Sequence, residues 1–197
     1  MRQSLKEEIW LHISQGNKVA YSELYVFYYK IFFNYGRKFT DDISLLEDAL
    51  QECLMDIWSR REKLVSIQTP HTYLFSAFRY TLFRKIRQSA RLKVYNLSGP
   101  ADPQFGIEHI IIKKEEESEL NLKLQQAIRE LTSRQREAIF LRFYEGLSYE
   151  EVAEVLGISV KATYKIMARA LLQLKETLSI PLLSILLLLR DTGFLFR

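Results

Sequence analysis

The stretch Ser148–Lys165, SYEEVAEVLGISVKATYK, permits few local folds. Ser148 followed by Glu151 makes a capping box, in which the hydroxyl and the carboxylate each satisfy a backbone N–H that the first helical turn leaves open. Val152, Val155 and Leu156 then form one apolar stripe at helical spacing. Ala153 is small enough for a second helix to cross close above it. Gly157 stops the helix where a positive φ is needed. Ile158 plugs the corner, and Ser159 caps a second helix. This is the grammar of a helix-turn-helix, whose second helix enters the major groove of DNA.

The rest of the chain reads as helix too. Gly and Pro number only 7 and 4 in 197 residues, too few for the turns of an all-β sandwich or barrel. Leu5, Ile9 and Ile13 share a stripe that Gly16 stops. VAYSELYVFYYKIFFNYGRKF is apolar nearly all round, which predicts burial on more than one side. Thr69 and Pro70 open a further helix as cap and first residue. Periodicity fails in YNLSGPADPQFG, Tyr95–Gly106, a linker composition. The expectation is an all-α chain of two small helical domains joined by a flexible linker, the C-terminal one a helix-turn-helix. Its divisions are residues 1–94, a linker at 95–118, residues 119–178 and an apolar tail at 179–197.

Charge is segregated along this chain. Ser159–Leu174 holds no acid but has Lys161, Lys165 and Arg169, spaced by four near one face. The helix before it carries Glu150, Glu151 and Glu154, while Arg134, Arg136 and Arg142 upstream suit phosphates. A plain hairpin with a solvated basic face shares this outline; the fixed order of Ser–Glu box, Ala, Gly, Ile and Ser favours the DNA reader. Thr40–Ser59 is the reverse, with six acids and no Lys or Arg. Asp48, Gln51, Glu52 and Met55 fall on one face of it; Ala49, Cys53 and Ile57, with Leu46, Leu50 and Leu54, fall on the side that can join a core. That carboxylate face is either solvated or a docking surface. Thr72–Ala101 has no acid, and its basic residues Arg79, Arg84, Lys85 and Arg87 are interleaved with aromatics. Basic residues hold a nucleic-acid backbone and exposed aromatics stack on unpaired bases. Most of these aromatics read as core, led by a Leu74, Phe78, Leu82 stripe; Tyr80 and Phe83 are the candidates for exposure.

Three segments carry a resemblance. LTSRQREAIFLRFYEGLSYEEVAEVLGISVKATYKIMARALLQL resembles domain four of bacterial sigma factors of the extracytoplasmic-function (ECF) type, in the sigma-70 family. LEDALQECLMDIW and TYLFSAFRYTLFRKIRQ resemble segments of domain two of the same family. The likeness covers roughly Ala20–Arg91 and Leu120–Lys175, in the family's order. It implies a chain that binds RNA polymerase core and directs promoter-specific initiation. It also implies that Ser159, Val160, Lys161, Ala162, Lys165 and Arg169 meet the −35 element. Arg79, Tyr80, Phe83, Arg84 and Arg87 would melt and read the −10 element. Asp48, Gln51 and Glu52, with Met55 on the same face, would dock on the β′ clamp helices. The chain departs from the family at Ala162-Thr163, usually Thr-Val, at Tyr80, often Asn, and at Arg84, often Asp. Implied partners are the polymerase core, promoter DNA and an anti-sigma factor, in this family often membrane-bound.

Other classes find little support. The one cysteine, Cys53, provides no disulfide or metal set and fits a cytoplasmic setting. His12, His71 and His109 are scattered, so no catalytic or metal constellation, no cofactor and no small-molecule substrate is expected. The N-terminus lacks a signal-peptide core. Ile180–Leu189 would make a helix of about 15 Å, half a bilayer core; it reads as a helix packed on the C-terminal domain or as an anti-sigma surface. The rival is a stand-alone helix-turn-helix regulator with an N-terminal sensing or dimerisation domain.

Overall fold

The computed structural model describes residues 7–93, 103–106, 119–179, 181 and 184–186, and all regular elements among them are helical. The chain divides into two compact units, Met1–Pro103 and Gln104–Arg197.

The first unit holds α1 (Glu7–Ser14), α2 (Lys18–Gly36), α3 (Ile43–Ser59), a 3-10 turn (Arg61–Ser66) and α4 (Pro70–Lys93). Side chains fix where these helices begin. Asn17 accepts from the N–H groups of Val19 and Ala20, and Asp42 accepts from Leu45. The Thr69 carbonyl takes the Tyr73 N–H at 3.0 Å, the first bond of α4. Gly16, at φ +85°, turns the chain between α1 and α2.

The core lies between α2, α3 and α4. Leu46, Ala49, Leu50, Cys53, Leu54 and Ile57 of α3 are all buried, as the period predicts, and so are Leu74, Phe78 and Leu82 of α4. From α2 come Leu24, Tyr28, Phe32 and Tyr35. Phe32 stacks on Phe78 with centroids 4.6 Å apart, and Phe75 meets both Phe32 and Tyr35 edge-on. The His71 Nδ1 and the Tyr28 hydroxyl are 2.8 Å apart, so this histidine is a satisfied structural residue. Two sequence expectations change here. On α1 the buried pair is Trp10 and Ile13, with the Trp10 indole N–H donating to the Leu64 carbonyl at 2.8 Å; Ile9 is only half-buried, and Leu5 lies outside the described residues. And α2 is not covered all round: Val19 and Val26 are exposed, while Tyr25, Tyr29 and Phe33 form a half-buried ladder of stacked rings. Aromatic rings at i, i+4 cover one another along a helix, so an apolar period can exceed the face that the core takes.

The second unit holds α5 (Glu119–Glu130), α6 (Ser133–Ile139), a π turn (Phe140–Tyr144), α7 (Tyr149–Leu156) and α8 (Val160–Leu178). Thr132 and Gln135 form one capping box; Ser148 and Glu151 form the other. The unit begins at Gln104, inside the stretch that reads as linker. Phe105 is fully buried there, 5.7 Å from the Phe140 ring centroid, and its N–H donates to the Ser133 hydroxyl at 2.5 Å. Burying such a ring contributes about 1.5–3 kcal/mol. Of the tail, Ser184–Leu186 are helical and Ile185 is fully buried. Apart from residues 103–106, 179, 181 and 184–186, the linker and the tail lie outside the described residues, as does His109.

A Cβ at Gly36 would overlap Leu46 Cδ1 and come within 3.3 Å of Phe78 Cζ. Gly36→Ala therefore destabilises the first unit by about 1–3 kcal/mol, measured by urea unfolding; an unchanged midpoint would refute this close approach. Burial pushes the Cys53 thiol up to about 12, so the native chain shows no reaction with a thiol reagent at pH 8 and one equivalent in urea.

Candidate nucleic-acid interface

In the second unit, the helix ends set the interface. The Ser148 hydroxyl accepts the Glu151 N–H at 3.1 Å, and the Glu151 carboxylate accepts the Ser148 N–H at 2.7 Å. Gly157 takes φ +65°. The Ile158 N–H reaches the Ala153 carbonyl at 3.0 Å and the Gly157 N–H the Glu154 carbonyl at 3.2 Å, the paired bonds of a Schellman motif. Ser159 then caps α8 by accepting the Ala162 N–H at 3.2 Å. Val152, Ala153, Val155 and Leu156 are buried, as are Thr163, Met167, Ala170 and Leu174 of α8.

These buried positions orient the rest of α8. Ser159, Val160, Lys161, Lys165 and Arg169 are exposed, and Ala162 is half-buried. Thr163 is fully buried with its hydroxyl 3.4 Å from the Ser159 carbonyl, so of the pair Ala162-Thr163 only Ala162 is open to a ligand. Tyr164, a residue that charge counting passes over, also faces out, 50% exposed. Its ring stacks on Tyr149 at 4.4 Å and 6°. The Arg142 guanidinium lies 5.2 Å from the Tyr149 centroid and donates to the Leu147 carbonyl at 2.8 Å. Arg142 therefore props the stack, where the sequence had offered it to phosphates. Arg134 is exposed, and Arg136 bonds the Arg129 carbonyl at 3.3 Å. A signal for Tyr164 was present in the sequence as an aromatic next to Lys165 and about one turn after Lys161, but its partner is fifteen residues upstream by number and is found only in the fold.

The first unit presents its own surface. Asp48, Gln51 and Met55 are exposed along α3, Met55 at 69%, and Glu52 is half-buried beside them. Their face is the one that the period predicts. Glu52 is not open, however. Arg84 pairs with Glu52 Oε1, and Lys85 Nζ sits 3.2 Å from Oε2. The Arg84 hydrogen bond, with Lys85 beside it, holds the Glu52 carboxyl below the usual carboxylate range. One residue expected to meet polymerase and one expected to meet DNA are thus each other's partners.

On α4, Tyr80 is 71% exposed, as expected, and Arg87 is exposed as well. Phe83 corrects the expectation: it is 6% exposed, packed edge-on against Phe39 at 4.9 Å with the Arg79 guanidinium 4.1 Å over its ring. Three residues on from Tyr80 it falls only about 60° round the helix, and what removes it from the solvent face is the Phe39 ring, just beyond α2, that covers it. Tyr80 and Arg84 border a cleft of about 370 Å³ that Asp56, Arg60 and Tyr73 also line. The Arg84 Nε is buried without a hydrogen-bond partner among the described residues. Cations and an exposed ring around one cleft suit a planar, anionic-backed group such as an unpaired nucleotide. Among the described residues no group of His, Cys, Asp or Glu has metal-binding geometry, and no helix is long and apolar enough to cross a membrane.

Residues 121–174 match the family model for sigma-70, region 4. The chain is 30% identical over 146 residues to the ECF RNA polymerase sigma factor SigL of Mycobacterium tuberculosis, covering 72% of this chain and 80% of that one. It is 23% identical over 160 residues to the RNA polymerase sigma factor YlaC of Bacillus subtilis, covering 80% and 91%. Among solved structures it is similar to CnrH in complex with the cytosolic domain of CnrY, with a TM-score of 0.57, 19% identity and coverage of 89% and 98%. It is likewise similar to RpoE in complex with the anti-sigma factor NepR from Bartonella quintana, with a TM-score of 0.56, 20% identity and coverage of 81% and 96%. These two structures share the all-helical fold.

The burial difference on α4 has a direct test. Phe83→Ala lowers unfolding stability by about 3–5 kcal/mol, whereas Tyr80→Ala changes it by less than about 0.5 kcal/mol. Equal effects in denaturant unfolding would contradict the placement of these two rings.

Proposed function

We propose a division of labour between the two units from a fixed premise: this chain belongs to the ECF family of RNA polymerase sigma factors. Such a chain binds RNA polymerase core and directs promoter-specific transcription initiation. The relatives match across both units, which disfavours a stand-alone regulator whose N-terminal half senses or dimerises.

On this reading the second unit, region 4, reads the −35 element as duplex. The observation that carries it is the outward face of α8, where Val160, Lys161, Tyr164, Lys165 and Arg169 stand together with no acid before Glu176. Lys165 and Arg169 neutralise phosphates, which gives affinity without sequence preference. Val160, Lys161, Ala162 and Tyr164 reach base edges, and the stack on Tyr149 fixes the Tyr164 ring before DNA arrives, so less side-chain entropy is lost on binding.

The first unit docks on the polymerase and holds unpaired −10 bases. Asp48, Gln51 and Met55 are its open docking residues, and Glu52 joins them once a polymerase cation competes with Arg84. Tyr80 stacks on a base at the mouth of the cleft, with Arg79, Arg84 and Arg87 toward the strand. Phe83 supports this helix from inside. No covalent step belongs to the chain, and its place of work is the cytoplasm, where polymerase and promoters are. The proteins similar in fold were seen with CnrY and NepR bound; an anti-sigma partner of the same kind regulates this chain.

Run-off transcription with core polymerase on a genomic promoter library tests the assignment: folded chain should give discrete start sites, and none would sink it. Lys165→Ala and Arg169→Ala each reduce the salt slope of duplex binding by about one, read by titration at several salt concentrations. Tyr80→Ala leaves core binding unchanged but lowers open-complex yield, while Asp48→Asn with Gln51→Ala weakens core binding in a pull-down.

A further inference from the structure

Phe105 lies in the one stretch with linker composition, PADPQFG, yet it is among the fully buried residues of the second unit. Two independent contacts hold it. Its ring rests 5.7 Å from that of Phe140, which stacks in turn on Tyr144 at 4.8 Å. Its N–H donates to the hydroxyl of Ser133, the first residue of α6. Phe140 opens the π turn, in which the Glu145 N–H reaches back to the Phe140 carbonyl at 3.1 Å. A π turn adds a residue to the helical repeat and shifts the side chains that follow it, so Phe105 is seated where α6 changes its winding.

The position of this seat matters for the tether between the units. Measured from Lys93, the last residue of α4, to Glu119, the first of α5, a fully extended chain reaches about 90 Å. Measured from Lys93 to Gln104 it reaches about 40 Å. The difference corresponds to about 15 base pairs of duplex at ~3.4 Å each. A shorter tether also raises the effective concentration of one binding unit at the other's site. With a −3/2 power law the anchored tether gives about a fourfold gain wherever it can still span the gap, and none beyond its reach.

We propose that Phe105 is a positioning residue for promoter choice: seated in the second unit, it ends the tether at Gln104 and so sets which separations between the two promoter elements the chain can bridge. This rests on the promoter-reading function above. Phe105 itself touches no DNA. With Phe105 and α5 both held in the second unit, only the stretch between Lys93 and Gln104 limits the reach.

The test uses the full chain with core polymerase and a promoter series whose element spacing varies one base pair at a time. The same short Gly-Ser insertion is placed either between Ser98 and Gly99 or between Glu115 and Glu116. The upstream insertion broadens the spacing profile, and the downstream one leaves it unchanged. Adding Phe105→Ala makes the downstream insertion broaden the profile as well. Equal broadening by the two insertions with Phe105 in place overturns the proposal, and so does no response to either. If the unaltered chain gives no discrete initiation, the promoter reading fails first. Because Phe105→Ala can also loosen the second unit, amide exchange in the unaltered full chain gives a second measure. The Phe105 N–H exchanges as slowly as its neighbours in the core of α6; exchange at the unfolded-chain rate overturns the anchor whatever the promoter results.

Discussion

Every helix leaves backbone N–H groups open at its start and carbonyls open at its end, and a protein built of short helices must satisfy them many times over. Here that constraint governs the architecture. Asn17, Asp42, Thr132, Ser148 and Ser159 each accept a first-turn N–H. Gly157 closes the other end of α7 in a left-handed conformation that a residue with a side chain adopts only under strain. The distance from the Ser148 cap to the Ser159 cap fixes the length of α7 and the point where α8 begins. From that point, burial of Thr163, Met167 and Ala170 decides which side chains of α8 look outward. The chemistry offered to DNA is thus a remainder, set by which positions the core has taken.

The first unit arranges charge by the same logic. Its acidic helix and its basic helix pack against each other, and the side chains at their common edge meet as Glu52 with Arg84 and Lys85. Half-exposed pairs of this kind contribute little to stability, about 0–1 kcal/mol, so they give way readily to a partner with more to offer. The pairing keeps two oppositely charged surfaces adjacent without a costly buried charge, while the Arg84 Nε stays buried without a hydrogen-bond partner among the described residues.

Much of this was legible in the residues. The caps, the α3 core stripe, the exposed Asp48, Gln51 and Met55 face and the exposed Tyr80 all follow from local chemistry and from a period of 3.6. Phe83 was misplaced because a three-residue offset on one helix is ambiguous until the neighbour is known, and that neighbour is Phe39. Tyr164 was passed over because its role depends on Tyr149, on another helix. The α2 aromatics looked buried all round because hydrophobicity does not separate a ring facing the core from rings that cover one another.

The sequence by itself determined an all-helical chain, its helix boundaries, the segregation of charge and the family to which it is similar, since each of these depends on residues within a few turns of one another. Only the tertiary structure decided that Glu52 holds Arg84, that Tyr149 props Tyr164, and that Phe105 belongs to the second unit. Those are contacts between segments distant in sequence, and they form where packed helices leave an apolar gap or an unpaired donor that a period cannot reveal.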